Sequence, residues 1–169
     1  MVKGDWVAER GIPGWSAMFN SFVEFIEQNL GEKRTRAAAD PQPALRLAMA
    51  ALCVEMARAD MQEKPQELER ARKMLAQRFS LADEEAQALI VAGQAESDQA
   101  VSLYRFTRLL NDHLDEPEKL ALLEMLWRVA YEDGTLDKYE DALMHKLAEL
   151  LYVPIAALML AKEKARTAK

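Results

Sequence analysis

Apolar residues recur every three or four positions along nearly the whole chain, the spacing that lines one face of a helix. The first such stripe is Trp15, Met18, Phe19, Phe22, Val23, Ile26 and Leu30, with Glu24, Glu27 and Gln28 opposite and Gly31 as its stop. A polar linker, Glu32 to Asp40, leads to Asp40-Pro41-Gln42-Pro43, a helix start that tolerates proline in its first turn. The helix that follows runs to about Asp60, with Leu45, Ala48, Met49, Leu52, Met56 and Ala59 on one face. Lys64-Pro65 restarts a helix to about Arg78, and Ser80 is expected to cap another through Ile90 that ends near Gly93. Val101 to Leu114 follows, with Leu103, Phe106 and Leu110 inward. Asp115-Glu116-Pro117 opens the helix carrying Leu120, Leu123, Leu126, Trp127 and Ala130. Two more helices run from Lys138 to about Leu151 and onward from Pro154. Short connections favour antiparallel neighbours. The expected fold is all-α, a compact bundle of about seven to eight helices.

The organisation expected is an N-terminal extension with its amphipathic helix over 1–40 and a helical domain over 41–169. Met18 is an alternative start, which would make the preceding residues an added extension. The polar face of the first helix carries acids where an anionic membrane attracts Lys and Arg. Packing on the domain or on a second copy is the better expectation, with a homodimer through this helix as the form it would take.

Composition changes little in that picture. Six Gly, six Pro and an apolar half of the chain agree with a helical globular domain. The net charge of -6 is concentrated: Asn111 to Glu149 holds eleven acids against four bases. Such a surface argues against nucleic acid, whose phosphates need clustered bases. The single Cys53 excludes an internal disulfide or a CxxC site, and it falls on an apolar helix face. With no signal peptide and no spanning run in view, the expected address is the cytoplasm.

One pattern occurs twice. Ala57-Arg58-Ala59-Asp60 followed by Glu67 returns as Ala130-Tyr131-Glu132-Asp133 followed by Glu140, 73 positions later. The helices leading into the two copies also match: Ala48, Met49, Leu52, Cys53, Met56 and Ala57 align with Ala121, Leu122, Met125, Leu126, Val129 and Ala130. Every pair is apolar. Beyond Glu67 and Glu140 the registers drift apart. An internal duplication sets architecture, and here it implies two related helix-loop-helix corners that face each other.

Local structure explains much of the second corner. Gly134 suits the left-handed position after a helix. Asp137 and Glu140 form a capping-box pattern, in which Asp137 accepts from the Glu140 backbone and Glu140 reaches back. Asp133 is left over, since an acid at a helix C-terminus sits at the negative end of the dipole. The first corner keeps Asp60 and Glu67 while Met61 stands in place of Gly134 and Lys64 in place of Asp137.

If the corners converge, Asp60, Glu67, Asp133 and Glu140 gather, with Glu63, Glu132 and Asp137 near. Two like charges ~4 Å apart repel by roughly 4 kcal/mol at an effective dielectric of 20, so compensation is required. Oxygen-only ligands favour a hard divalent cation, Ca²⁺, Mg²⁺ or Mn²⁺, with those four residues as the metal ligands. Arg58 and Arg128 are the alternative compensators. The spacing is not that of an EF-hand. No catalytic residues are indicated: there is no Glu-x-x-His, no nucleophile elbow and no phosphate-cradling glycine loop. His145 follows Asp141 by four residues, as in an ordinary helix-face ion pair, and the nine Met read as core filling.

The stretch from about Ala44 to Leu160 resembles the TerB-like (tellurite-resistance) superfamily, whose hallmark is an apolar helix ending in Ala-x-x-Asp-Gly with Glu seven places after the Asp. The second corner fits it, and the first fits except for Met61. The resemblance implies an all-helical fold with two helix repeats and acidic residues between them. It also implies a link to tellurite resistance and stress responses, and a relation to the N-terminal domain of a DnaJ-like co-chaperone. No His-Pro-Asp motif is present, so no J activity is expected. Divalent-metal binding, proposed for the family's acidic cluster, would fall here on Asp60, Glu67, Asp133 and Glu140. The expected function is a non-enzymatic binding or scaffold module with an unknown protein partner, suited to a divalent cation. The alternative is a metal-dependent hydrolase of unknown substrate.

Overall fold

The computed structural model describes residues 42–62 and 64–168. The expected helix over Trp15–Leu30, the linker after it, any homodimer contact through that helix, and Glu63 lie outside the described residues. Seven helices and no strand occur among the described residues: α1 (Gln42–Ala57), α2 (Pro65–Phe79), α3 (Asp83–Gln99), α4 (Tyr104–His113), α5 (Glu116–Ala130), α6 (Lys138–Leu150) and α7 (Ile155–Thr167).

Two helices form the centre. From Ala48 to Ala57 every residue of α1 except Glu55 is buried. A helix apolar on all sides belongs in a core, and α1 packs on α2, α3, α4 and α5. In α5, Leu122, Leu123, Met125, Leu126, Trp127, Val129 and Ala130 are buried, and the helix packs on α1, α2, α6 and α7. These are the lead helices of the two repeats. Of the twelve residues matched between them only Ala121 is not fully buried. The duplication is therefore a duplication of core positions.

Three sequence expectations are corrected. The helix expected to stop near Gly93 continues to Gln99. Gly93 is buried where α3 crosses α1; a Cβ added there would lie 2.8 Å from the Ala50 carbonyl carbon and 3.0 Å from Ala50 Cβ. Its role is close approach of two backbones, which overrides its weak helix propensity. Ser80 does not start α3. It ends α2 in the left-handed region at φ 52°, and the first turn of α3 is instead closed by Glu85, whose Oε2 accepts from the Ala82 N–H at 2.6 Å. The helix expected from Val101 begins three residues later, at Tyr104, and the Val101 side chain is exposed.

Candidate functional site

The two corners are built alike, position for position. After α1, the Met61 N–H donates to the Arg58 carbonyl at 2.9 Å; after α5, the Gly134 N–H donates to the Tyr131 carbonyl at 3.0 Å. Asp60 Oδ1 accepts from the Gln62 N–H and Asp133 Oδ1 from the Thr135 N–H, both at 3.0 Å. Each Asp thus closes its own Asx turn, a local role the helix-dipole argument misses. Gly134 has φ 81° and Met61 keeps the same left-handed region at φ 65°. The missing glycine has changed the strain and left the path of the chain intact.

The corners also meet. The α2 N-cap residue, Lys64, sends its ammonium to the point where all four carboxylates converge. Nζ lies 2.9 Å from Glu67 Oε1, 3.0 Å from Glu140 Oε1, and 3.3 Å from both Asp60 Oδ2 and Asp133 Oδ2. Asp60 and Asp133 divide their work in the same way, with Oδ1 on the turn and Oδ2 toward the ammonium. Glu140 also divides its two oxygens. Its Oε2 accepts from the Asp137 N–H at 2.9 Å, while Oε1 accepts from Lys64. In the cap itself, Asp137 and Glu140 form the expected capping box, and Asp137 Oδ1 also accepts from the Tyr139 N–H at 2.7 Å. Capping and charge clustering are one device.

Burial differs sharply within the cluster. Glu67 is 0% and Glu140 1% exposed, whereas the two aspartates are nearer the surface. Glu67 has no hydrogen-bond partner for either oxygen among the described residues. Its 2.9 Å approach to Nζ is an ionic contact without hydrogen-bond alignment. Desolvation, opposed by Lys64 and helped by the charges of Glu140 and Asp133, pushes the Glu67 carboxyl up to about 7. Burial also acts to raise Asp60 and Asp133, but turn N–H donors and Lys64 together hold both below the ordinary carboxylate value. Burial works against the Lys64 ammonium, yet the surrounding carboxylates outweigh it and raise its pKa.

Lys64 was not among the compensators expected from sequence. Arg58 pairs with Asp98 at 2.6 Å and Arg128 with Glu124 at 2.5 Å, carboxylates outside the four of the cluster. Glu132 faces Arg70 at 3.4 Å, and Asp137 serves as the α6 cap. The signal that could have found Lys64 was its place in the repeat, a base where the second copy has an acid. At a helix start a cation is unfavourable beside the dipole, and Lys64 makes no side-chain cap. Only the carboxylates facing it explain that choice.

The four expected ligands are therefore brought together around an ammonium. Among the described residues no group of three or more His, Cys, Asp or Glu is disposed to hold a metal ion. The physical reason is plain: carboxylate oxygens bind Mg²⁺ or Ca²⁺ at about 2.0–2.6 Å, and here the central position already holds Nζ. As arranged, these residues do not fit a resident divalent ion.

Other candidate groups serve structure. Cys53 is fully buried, and desolvation pushes its thiol up to about 12, far from a reactive thiolate. His145 lies 3.6 Å from Asp141, whose other oxygen receives Lys162 at 2.5 Å. A cleft between α2 and α3 is lined by Pro65, Leu68, Glu69, Arg72, Gln87 and Ile90, and contains none of the four carboxylates. No helix among the described residues is long and apolar enough to cross a membrane.

A family model described as tellurite resistance protein TerB matches residues 46–163, which include both corners. No match was found among curated proteins. Among solved structures, the chain is similar to a protein of unknown function from Porphyromonas gingivalis W83. The TM-score is 0.56 at 20% identity, over 80% of this chain and 96% of that one. At that identity the likeness speaks for the fold alone.

Proposed function

The chain belongs to the TerB family of tellurite-resistance proteins, and from that premise we propose that it is a non-enzymatic binding or scaffold module. Its carboxylate cluster acts as a cation-centred joint between the two helix-loop-helix corners. The observation that carries this reading is the convergence of Asp60, Glu67, Asp133 and Glu140 on the single Lys64 ammonium, at 2.9–3.3 Å.

A reaction site needs a nucleophile or base that a substrate can reach. Glu67 has the perturbed carboxyl that often marks a catalytic base. It is also wholly buried, and its perturbation comes first from that burial. These features support a structural carboxylate at the heart of a joint. A partner would find apolar surface at the α6–α7 corner, where Tyr152, Ile155 and Leu160 are exposed.

The test is a turnover screen of the full chain on generic phosphoesters, with and without Ca²⁺, Mg²⁺ or Mn²⁺. No turnover is expected under any condition. Metal-stimulated turnover that disappears in Asp133→Asn would overturn the reading in favour of a metal-dependent hydrolase.

A further inference from the structure

Lys64 occupies the place in the first corner that Asp137 holds in the second, and the two residues are the N-caps of α2 and α6. Asp137 caps its helix; Lys64 instead carries its ammonium to the convergence point of the carboxylates. An ammonium offers three N–H donors, too few for four carboxylates. Glu67 is fully buried, its Oε1 meets Nζ in an ionic contact at 2.9 Å, and neither of its oxygens has an aligned hydrogen-bond donor among the described residues. Oε1 is the oxygen that meets Nζ, and Oε2 is buried with no partner among the described residues. One positive charge among four carboxylates also leaves the centre short of cationic charge. Excess negative charge and unspent oxygen ligands are what a hard divalent ion satisfies and a single ammonium does not.

We propose that Lys64 is a tethered stand-in for a divalent cation: it holds the two corners together without metal, and its removal turns the same four carboxylates into a divalent-metal site. The proposal rests on the reading of the cluster as a cation-centred joint. It accounts for the reversal of charge at one position of an otherwise repeated turn. A tethered ammonium is always present at its site, so the joint is made independent of the ion supply. A divalent ion entering the native chain would have to expel Lys64 from four ionic contacts.

The test titrates CaCl₂, MgCl₂ and MnCl₂ separately into the full chain and into Lys64→Met, which keeps the length of the side chain and removes its charge. Binding is read by calorimetry and stabilisation by thermal melting. The native chain is expected to show neither saturable binding nor a melting shift. Lys64→Met is expected to bind one ion of at least one salt, at least about tenfold more tightly than the native chain, and to melt higher in its presence. Lys64→Arg, which keeps the cation, should stay indifferent to metal. Adding Asp133→Asn to Lys64→Met should weaken the acquired binding by at least about tenfold.

Should Lys64→Met not fold alone, recovery of its helical circular dichroism on refolding with one of the salts supports the proposal, and failure with all three overturns it. A gain of less than about tenfold over the native chain likewise overturns it. Phosphoester turnover would instead sink the non-enzymatic reading while leaving the exchange of ammonium for metal intact, so the two failures are distinguishable.

Discussion

The Lys64 ammonium lies 3.0 Å from Glu140 Oε1, although 76 positions of chain separate the two residues. The same glutamate holds the Asp137 N–H through its second oxygen. One carboxylate therefore ties the start of α2 to the start of α6. Because α1 and α5 pack directly on each other beneath these corners, the contact couples the two halves of the duplication at the edge of their common core.

Removing the central charge should be costly. Lys64→Met leaves four converging carboxylates without their ammonium, and the loss of one member of a largely buried ion cluster costs about 3–5 kcal/mol when burial is complete. Lys64 is 21% exposed at its side chain, so water relieves part of the repulsion, and a loss of about 2–4 kcal/mol is expected in metal-free buffer. Urea unfolding monitored by circular dichroism measures it. A change below about 0.5 kcal/mol, the ordinary range for surface substitutions, would show that Lys64 holds nothing together.

The pH dependence should bend in two directions. Glu67 has a folded pKa of about 7, above its ordinary 4.5, so between those values the folded chain binds more protons than the unfolded one. Its contribution therefore rises as pH falls from about 7 to 4.5. Asp60 and Asp133 have folded values below 3.8, and their contribution is lost as pH falls through those values. Greatest stability from this cluster is expected at mildly acid pH, near 5 on the urea midpoint curve. Glu67→Gln should flatten the limb above pH 5 and be neutral or stabilising at pH 8. A loss of stability at pH 8 comparable with that of Lys64→Met would contradict the assigned direction.

The turns offer a paired test of strain. A left-handed conformation costs a non-glycine residue roughly 1–2 kcal/mol, and Met61 carries it at φ 65° with its side chain almost wholly exposed. Met61→Gly gives up about 0.5–1 kcal/mol to the unfolded chain and should still stabilise by about 0.5–1 kcal/mol. Gly134→Ala, at φ 81° in the other corner, should destabilise by about 1 kcal/mol. Thermal melts of both variants at one pH decide it; shifts of the same sign would contradict the conserved turn geometry.

At the α1–α3 crossing, Gly93→Ala sets helix propensity against space. Alanine favours a helix interior by about 1 kcal/mol, but the new methyl would press on the Ala50 backbone at 2.8 Å. Overpacking against backbone costs about 1–3 kcal/mol, so a net loss of up to about 2 kcal/mol is expected from chemical unfolding. Gly93→Val should cost more, because its branched side chain demands still more room.

How much of this was legible in the chain follows from the range of each interaction. Helix positions and the buried faces of α1 and α5 depend on neighbours three and four residues apart, and the apolar spacing of Leu52, Met56, Leu122 and Leu126 carries that information directly. The duplicated Asp60–Glu67 and Asp133–Glu140 pairs were legible for the same reason: each belongs to one local turn and one helix start. Gly93 was read as a stop because a helix end and a close helix crossing use the same residue. Ser80 misled similarly, since Ser suits an N-cap as well as an αL position. The sequence alone thus determined an all-helical chain with two similar acidic corners. That the corners adjoin, that Glu67 is sealed from water, and that Lys64 rather than Arg58 or Arg128 supplies the charge were decided by tertiary packing. Electrostatic partnership depends on distance through space and on access to water, and a base 76 positions from its acid acquires both only when the helices are packed.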